Sequence, residues 1–437
     1  MSDPSIAVVV LDTLRKDTFS RYFEWLPGTR FTNAYSTSHW TVPAHASLLA
    51  GQYASELGIH SKSRSFDYPG ATVVEVLHDS GYFTRMWTAN MQIHTWEGWD
   101  RGFDEVAGPQ NLHPKSERSV DWRSFSTESN SFLKYINAIQ YAVSSTEDTV
   151  PSLVEGYRRF RRGPGQSSTH EIQERYRQTT FGDTEFLLLN LMDAHTPHYP
   201  EKPYQTFDQT IDFGLGRSFG KKSNNPDRDR RAYDDSAMNL SDRYKELFNH
   251  LRNDFDIIIT LSDHGELLGE HGMWLHCYGI FPNIVQIPLR IWCDDGITGF
   301  EETTRSDTVS LIDLPKTIAG LAGVDFECRG RNLIKHTTSR DRLIEYHGLL
   351  PWLQDTIGED YGFREHHNEP LNGVATAEGE YFFETHRDES DSGTTLSKGQ
   401  RDRMEDLVSD LNKRDVRTEG SETSESVKSR LEHLGYA

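Results

Sequence analysis

Long apolar segments are missing from this sequence. No apolar run approaches the roughly 18 residues that a membrane-spanning helix requires, so we expect no membrane insertion. The first strand-like segment starts a few residues after Met1, and no signal peptide precedes it. We therefore expect a cytoplasmic protein.

Cysteine is scarce as well. The 437 residues include three cysteines, Cys277, Cys293 and Cys328, whose spacing matches neither a disulfide framework nor a zinc finger. The sequence therefore gives no signal for either feature, and we interpret Cys277 as a packing residue.

Basic residues are outnumbered by acidic ones. Lysine and arginine together number 46 against 67 aspartates and glutamates, which gives a formal net charge of −21. Because binding to nucleic-acid phosphates needs a basic surface, this balance argues against a nucleic-acid partner. An acidic surface is also what a high-salt cytoplasm favours, since salt screens the repulsion between like charges. We therefore expect a halophilic archaeal source.

Two strand-like segments far apart in the chain end in metal-ligand residues. The apolar run Ile6–Leu11 is followed by Asp12, and the run Ile257–Leu261 is followed by Asp263 and His264. Such β-branched runs are typical of buried parallel strands, whose carboxyl ends line one crevice in an open α/β sheet. The three side chains are therefore candidates to bind one cation. The alternative, carboxylates that only stabilise turns, is disfavoured by their joint occurrence at strand ends.

A third segment has the start and stop signals of a helix. A hydroxyl residue lies at its expected N-terminus, Pro43 in its first turn and Gly51 at its end. A helix N-terminus suits a phosphate or sulfate group, and Thr41 would lie beside it. A threonine hydroxyl is a poor nucleophile unless a metal activates it. The alternative is that Thr41 only caps a structural helix.

Together these segments resemble the sulfatase family within the alkaline phosphatase superfamily. The matching motifs are LDTLR after the first strand, PxxASLLxG in the helix and SDHGExxGEHG after the second strand. Two lesser segments, at 81–105 and 193–198, follow in the same order, and the resemblance spans roughly residues 5–385. It implies an α/β fold with a mixed, mainly parallel sheet flanked by helices and a smaller C-terminal α+β lobe.

The resemblance also implies roles for individual residues. The metal ligands would be Asp12, Thr41, Asp263 and His264, and Thr41 would be the nucleophile. Glu266 would support a neighbouring residue or cap a helix rather than act as a base.

Several histidines would complete the site. By the same resemblance, His195 and His276 would contact the anion or protonate the leaving oxygen, and His45 takes the place of the arginine in the CxPSR signature. His198 and His271 are further candidates. A histidine in a polar loop is otherwise a solvated residue, which is the alternative for each of them.

Three departures from the family pattern point away from ordinary sulfatase chemistry. Thr41 cannot be oxidised to formylglycine, Thr13 replaces the second aspartate of an Asp-Asp pair, and the segment Thr88–Met91 replaces the GKWH segment. What remains resembles the threonine-dependent relatives: phosphodiesterases, phosphoethanolamine transferases and lipoteichoic acid synthases. The resemblance therefore implies a phosphoester in preference to a sulfate ester.

The expected cofactor is one divalent metal ion. Mixed carboxylate and imidazole ligands favour Zn²⁺ or Mn²⁺, while Mg²⁺ and Ca²⁺ stay open. A second ion would need another cluster, for which Asp193, His195 and His271 are the candidates.

A chain of this length exceeds a usual single domain. We expect a catalytic domain at 1–335, with a helical insertion at 110–180 and a candidate lid loop at 205–232, where glycine and polar residues are frequent. A C-terminal lobe at 336–437 would hold a small antiparallel sheet and a charged tail.

The sequence therefore predicts a metal-dependent hydrolase that cleaves a phosphate or sulfate ester of a small molecule, glycan or lipid. Two alternatives remain: a transferase that passes a phospho-headgroup to an acceptor, and an inactive binding protein that retains the fold. The oligomeric state is left open.

Overall fold

The structure, a computed structural model, describes residues 3–109, 167–294, 302–335, 338–350, 363–386 and 396–416, with Ile297, Phe300 and Leu353. The insertion expected at 110–180 lies outside the described residues up to residue 166, and so does the tail beyond 416. None of the helices in the described ranges is long and apolar enough to cross a membrane.

The strands alternate with helices in the first part of the chain. They are β1 (Ile6–Leu11), β2 (Thr29–Tyr35), β3 (Phe83–Thr88), β4 (Glu105–Ala107), β5 (Glu185–Leu191), β6 (Ile257–Leu261), β7 (Leu267–Leu268), β8 (Trp274–Leu275), β9 (Gln286–Cys293), β10 (Thr304–Ser310), β11 (Arg342–Tyr346), β12 (Leu371–Ala375) and β13 (Tyr381–Phe383).

The helices flank the sheet that these strands form. They are α1 (Lys16–Tyr22), α2 (Thr41–Ala50), α3 (Ala54–Leu57), α4 (Val73–Asp79), α5 (Ser168–Gln178), α6 (Pro226–Asp254), α7 (Pro282–Val285), α8 (Asp313–Leu321) and α9 (Lys398–Ser409).

The large sheet has the strand order β10-β2-β9-β6-β1-β5-β3-β4. Its described strands all run in one direction except β9, which pairs antiparallel with both β2 and β6. A mixed, mainly parallel sheet between helices is the fold class expected from the sequence. Since β1 and β6 are parallel neighbours, the residues that follow them emerge at the same edge.

The sheet is buried on both faces. Ile6, Val8 and Val10 pack into one hydrophobic cluster with α2 and α4, whereas Ala7 and Val9 pack into a second cluster with α1 and α6. Burial of both faces explains why the sequence of β1 is a continuous apolar run rather than an alternating one.

The segment 205–232 differs in detail from the expected loop. Residues from Pro226 onward form the start of α6, where Asp229 is buried and accepts hydrogen bonds from Arg217, Arg228 and Ser223. Through these contacts Arg217 and Ser223 of the segment are bound to Asp229 of the helix. Its role as a lid stays a prediction.

A three-stranded antiparallel sheet, β11-β12-β13, lies in the C-terminal part of the chain. It contacts the main sheet region at Glu345, whose N–H donates to Thr37 O at 2.9 Å. The division of the chain into a catalytic domain and a lobe at residue 335 stays a prediction.

Candidate active site

Asp12 and Asp263 follow adjacent strands and meet at the carboxyl edge of the sheet. Val10 of β1 pairs with Leu261 of β6, and both aspartates are buried. One ligand atom from each of Asp12, Asp263 and His264 lies within 4.8 Å of the other two. The structure thus brings together the three residues that follow the two strands.

Thr41 is the first residue of α2 and is buried beside this cluster. Trp40 occupies the N-cap position without a side-chain cap hydrogen bond, so Thr41 does not cap the helix as the alternative interpretation held. Instead, Thr41 Oγ1 lies 3.3 Å from His264 Nε2. The hydroxyl therefore contacts His264, a member of the cluster, rather than capping its own helix.

Hydrogen bonds fix the ring nitrogens of His264 and His45. His264 Nδ1 donates to the Gly265 carbonyl at 2.9 Å, and His45 Nδ1 donates to the Thr41 carbonyl at 3.0 Å. A carbonyl only accepts, so both Nδ1 atoms carry the proton. His264 Nε2 therefore presents a lone pair to Thr41, as a metal ligand would. His45 Nδ1 also lies 3.6 Å from Asp263 Oδ2, which places His45 beside both Thr41 and Asp263.

Two asparagines hold the carboxylate of Asp12. Asn90 Nδ2 donates to Asp12 Oδ2 at 2.9 Å, and Asn190 Nδ2 donates to the same oxygen at 3.0 Å. Asn90 Nδ2 also donates to Thr41 Oγ1 at 3.3 Å. The sequence analysis treated the Asn90 segment as a loss, whereas the structure shows that its amide joins the proposed nucleophile to a proposed ligand. In the sequence, the only sign of this role was that Asn90 lies where the family has the GKWH segment.

His195 and His276 lie next to each other, and His276 is beside His264. Their ring centroids are 5.4 Å apart, and the His276 ring is 4.4 Å from the ring of His264. His195 Nδ1 donates to the Thr196 carbonyl at 2.5 Å. Burial lowers the pKa of both histidines, and that of His276 falls well below its ordinary value.

The two aspartates have opposite pKa shifts. Burial alone would raise the pKa of Asp12, but His195, His264 and the two amide donors outweigh it and hold that pKa below its ordinary value. Burial, followed by the charge of Asp12, raises the pKa of Asp263 to about 7. Two carboxylates this close repel unless a cation or a proton lies between them.

The donor set fits a divalent cation. Asp263 Oδ2 is buried and has no hydrogen-bond partner among the described residues, although it lies 3.5 Å from His264 Nε2. A buried carboxylate oxygen without a partner is costly, and a cation would satisfy it together with the Nε2 lone pair and Asp12. These residues are therefore suitable to hold one metal ion, and Thr41 Oγ1 is near enough to join them.

Three other candidates lie elsewhere. Asp193 Oδ2 accepts hydrogen bonds from Ser168 and Thr169 at the start of α5, and His271 stacks on Phe281 with the ring centroids 4.6 Å apart. His198 is buried against Phe213. The set proposed for a second ion, Asp193 with His195 and His271, does not form a metal-ligand cluster in the described residues.

Comparison with known proteins identifies the family. The sequence model of the Sulfatase family matches residues 18–324. The chain belongs to the sulfatase family. Choline-sulfatase of Rhizobium meliloti is 25% identical to it over 338 residues, which are 68% of this chain and 61% of that protein. This chain thus spans about three fifths of the length of that curated relative.

Solved structures of the sulfatase family's fold resemble the whole chain. Phosphonate monoester hydrolase of Silicibacter pomeroyi has a TM-score of 0.61 at 15% identity and covers 99% of this chain and 96% of its own. Phosphonate monoester hydrolase of Agrobacterium radiobacter also has a TM-score of 0.61 at 15% identity, with 93% and 95% covered. These likenesses confirm the expected fold.

Proposed function

We propose that this sulfatase-family chain hydrolyses a phosphoester through Thr41 as nucleophile, with Asp12, Asp263 and His264 as metal ligands. The observation that carries the proposal is the position of Thr41 Oγ1, 3.3 Å from Nε2 of His264, which forms a buried cluster with the two aspartates. A divalent metal bound there would polarise a non-bridging oxygen of the ester and lower the pKa of the Thr41 hydroxyl.

The residues of the chain would carry the reaction in two steps. Thr41 loses its hydroxyl proton to solvent, Thr41 Oγ1 attacks phosphorus, and the bond from phosphorus to the leaving oxygen breaks. His195 or His276 protonates that oxygen or stabilises its charge. Water then attacks the phosphothreonine from the same side, which releases phosphate or a phosphate monoester and restores the hydroxyl. Asn90 would hold the Thr41 oxygen toward the substrate in both steps.

A sulfate ester is the second candidate substrate. The observation that favours it is the similarity to choline-sulfatase. Against it, Thr41 cannot become the formylglycine on which sulfatases of the usual kind depend. A transferase would use the same first step and would differ only in passing the group to an alcohol instead of water.

The test is a panel of chromogenic substrates of four kinds: phosphate monoesters, phosphate diesters, phosphonate monoesters and sulfate esters. The metal-free protein would be assayed with Mn²⁺, Zn²⁺, Mg²⁺ or Ca²⁺, at low and at molar salt because a halophilic source is expected. We expect metal-dependent hydrolysis that is highest on a phosphorus ester. Added alcohol acceptors reveal a transferase by the formation of a new ester.

Matched variants decide whether the proposed site is responsible. Asp263→Asn should lose metal and activity together, since an amide cannot replace the carboxylate's charge. Asp256→Asn, at the opposite end of β6, is the control and should retain both. Hydrolysis that needs no metal, or that survives in Asp263→Asn, would contradict the proposal.

A further inference from the structure

Glu266 is a buried acid whose carboxyl group has no hydrogen-bond partner among the described residues. Its side chain has 0% exposure, and both Oε1 and Oε2 are without a partner. A buried carboxyl group in this condition is costly, so its retention needs an explanation. Burial also raises its pKa well above the ordinary value.

Two polar side chains near Glu266, those of Arg15 and Tyr233, donate their hydrogen bonds to other acceptors. Arg15 donates to the main-chain carbonyl of Glu266 and to the side chains of Glu270 and Asp17. The hydroxyl of Tyr233 donates to the Thr13 carbonyl at 3.1 Å. Neither group satisfies the Glu266 carboxyl, although both lie in its surroundings.

His276 faces Glu266 with an equally unsatisfied atom. His276 Nδ1 is buried, has no partner among the described residues and lies 4.0 Å from Glu266 Oε2. The residue before it, Leu275, has a φ of 68°, a strained value for a side chain of this kind. His276 thus follows a strained residue and lies next to both Glu266 and His264, whose ring centroid is 4.4 Å from its own.

We propose that Glu266 is a positioning residue that holds Nδ1 of His276 and so directs Nε2 to the leaving oxygen of the ester. The proposal rests on the proposed function, because it assigns the protonation of the leaving group to His276 rather than to His195. A separation of 4.0 Å must shorten to about 2.7–3.0 Å for a hydrogen bond, a closure that is common when catalytic groups meet their substrate.

The pair of Glu266 and His276 can be written in two ways that contain the same number of protons. One is a protonated Glu266 beside a neutral His276, and the other is a carboxylate beside an imidazolium. Both have zero net charge, which burial favours. In both, His276 Nε2 carries a proton. When the bond from phosphorus to the leaving oxygen breaks, that proton moves to the oxygen and the electron pair of the N–H bond stays on Nε2. The remaining proton is shared between Nδ1 and Glu266.

The test uses one ester class with leaving groups of graded basicity, from nitrophenols to alkyl alcohols. A nitrophenolate leaves without a proton, so Glu266→Ala should change its kcat less than about threefold. An alkyl alcohol needs the proton, and Glu266→Ala should then lose about 10²-fold or more in kcat with little change in KM. Glu266→Gln retains an acceptor for Nδ1 and should lose less than Glu266→Ala.

Two comparisons separate positioning from a structural role. His276→Ala should reproduce the leaving-group dependence, and the double variant should be no worse than His276→Ala alone. Glu185→Gln removes another buried carboxylate, one that pairs with Arg85 away from the site, and should lower thermal stability without changing the leaving-group dependence.

The outcomes are distinguishable. Equal losses on all leaving groups, additive effects in the double variant, or unfolding of both Glu266 variants would assign Glu266 a structural role and overturn the inference. A wild-type protein that hydrolyses no ester, or that is unaffected by Thr41→Ala, would overturn the proposed function itself.

Discussion

The hydroxyl of Thr13 donates a hydrogen bond to Asp12 Oδ1 at 2.7 Å. Thr13 stands where the resembling family has a second aspartate, and its φ of 62° lies in the left-handed region, which is costly for a β-branched residue. The strain is accompanied by a hydrogen bond that orients the first aspartate. The site thus has one carboxylate fewer than the resembling family, and the Asp12 carboxylate that it retains is held in place by this hydrogen bond.

The first prediction concerns this hydrogen bond. Thr13→Val keeps the β-branched shape and removes the donor, so metal affinity should fall about 10- to 100-fold, as is typical when a ligand loses its supporting group. Isothermal titration calorimetry with the metal that supports activity measures the change. Thr308→Val, which removes a buried hydroxyl that donates to Thr376 O, is the control. An unchanged affinity in Thr13→Val would mean that Thr13 does not orient the ligand.

The second prediction separates the two asparagines on Asp12. Asn190→Ala removes a donor to Asp12 and to His45 Nε2, whereas Asn90→Ala removes the donors to Asp12 and to Thr41 Oγ1. Both variants should bind metal more weakly. At saturating metal, kcat should fall about tenfold or more in Asn90→Ala, because the nucleophile loses its orientation, and should recover in Asn190→Ala. Steady-state kinetics across metal concentrations decide this, and equal recovery in both variants would contradict it.

The third prediction is a link between pH, stability and metal binding. The ordinary pKa of 3.8 for an aspartate is raised to about 7 at Asp263. Between these values the folded, metal-free protein retains a proton that the unfolded chain has lost. Its free energy of unfolding should therefore decrease as pH rises through this window, by up to about 1.4 kcal/mol per pH unit from this one group.

Metal binding should show the reverse trend. The metal displaces the Asp263 proton, so its affinity should rise with pH up to about 7 and then level off. Thermal unfolding of the metal-free protein from pH 5 to pH 8, with titrations of metal at the same pH values, measures both trends. Asp263→Asn should lose the stability trend. A wild-type trend identical to that of the variant would assign the titration to another group.

Much of the fold could be predicted because its central strands are buried on both faces. The continuous apolar runs of β1 and β6 gave bounds that agree with the structure. Helix α6 begins at Pro226, inside the segment 205–232 that was expected to be a loop. Its first turns are polar, and Asp229 is buried there through ion pairs with residues distant in the loop, which a search for apolar periodicity does not detect.

The candidate site was predictable where motifs mark strand ends and less so elsewhere. Asp12, Thr41, Asp263 and His264 could be grouped because each follows a strand or begins a helix. Asn90, which follows β3, and Asn190, which lies within β5, carry no spacing signal, since a neutral amide does not mark a ligand. Asp193, in contrast, has the residue type of a ligand and serves as a helix cap.

The central claim is that Thr41 attacks the ester and forms a covalent intermediate. The most direct measurement is peptide mass spectrometry of enzyme quenched during turnover, with Thr41→Ser and Thr41→Ala in parallel. We expect a phosphoryl adduct on the peptide that carries Thr41, measurable activity in Thr41→Ser, and no activity or adduct in a folded Thr41→Ala protein. Near-normal activity of Thr41→Ala would mean that water attacks directly and would contradict the covalent mechanism.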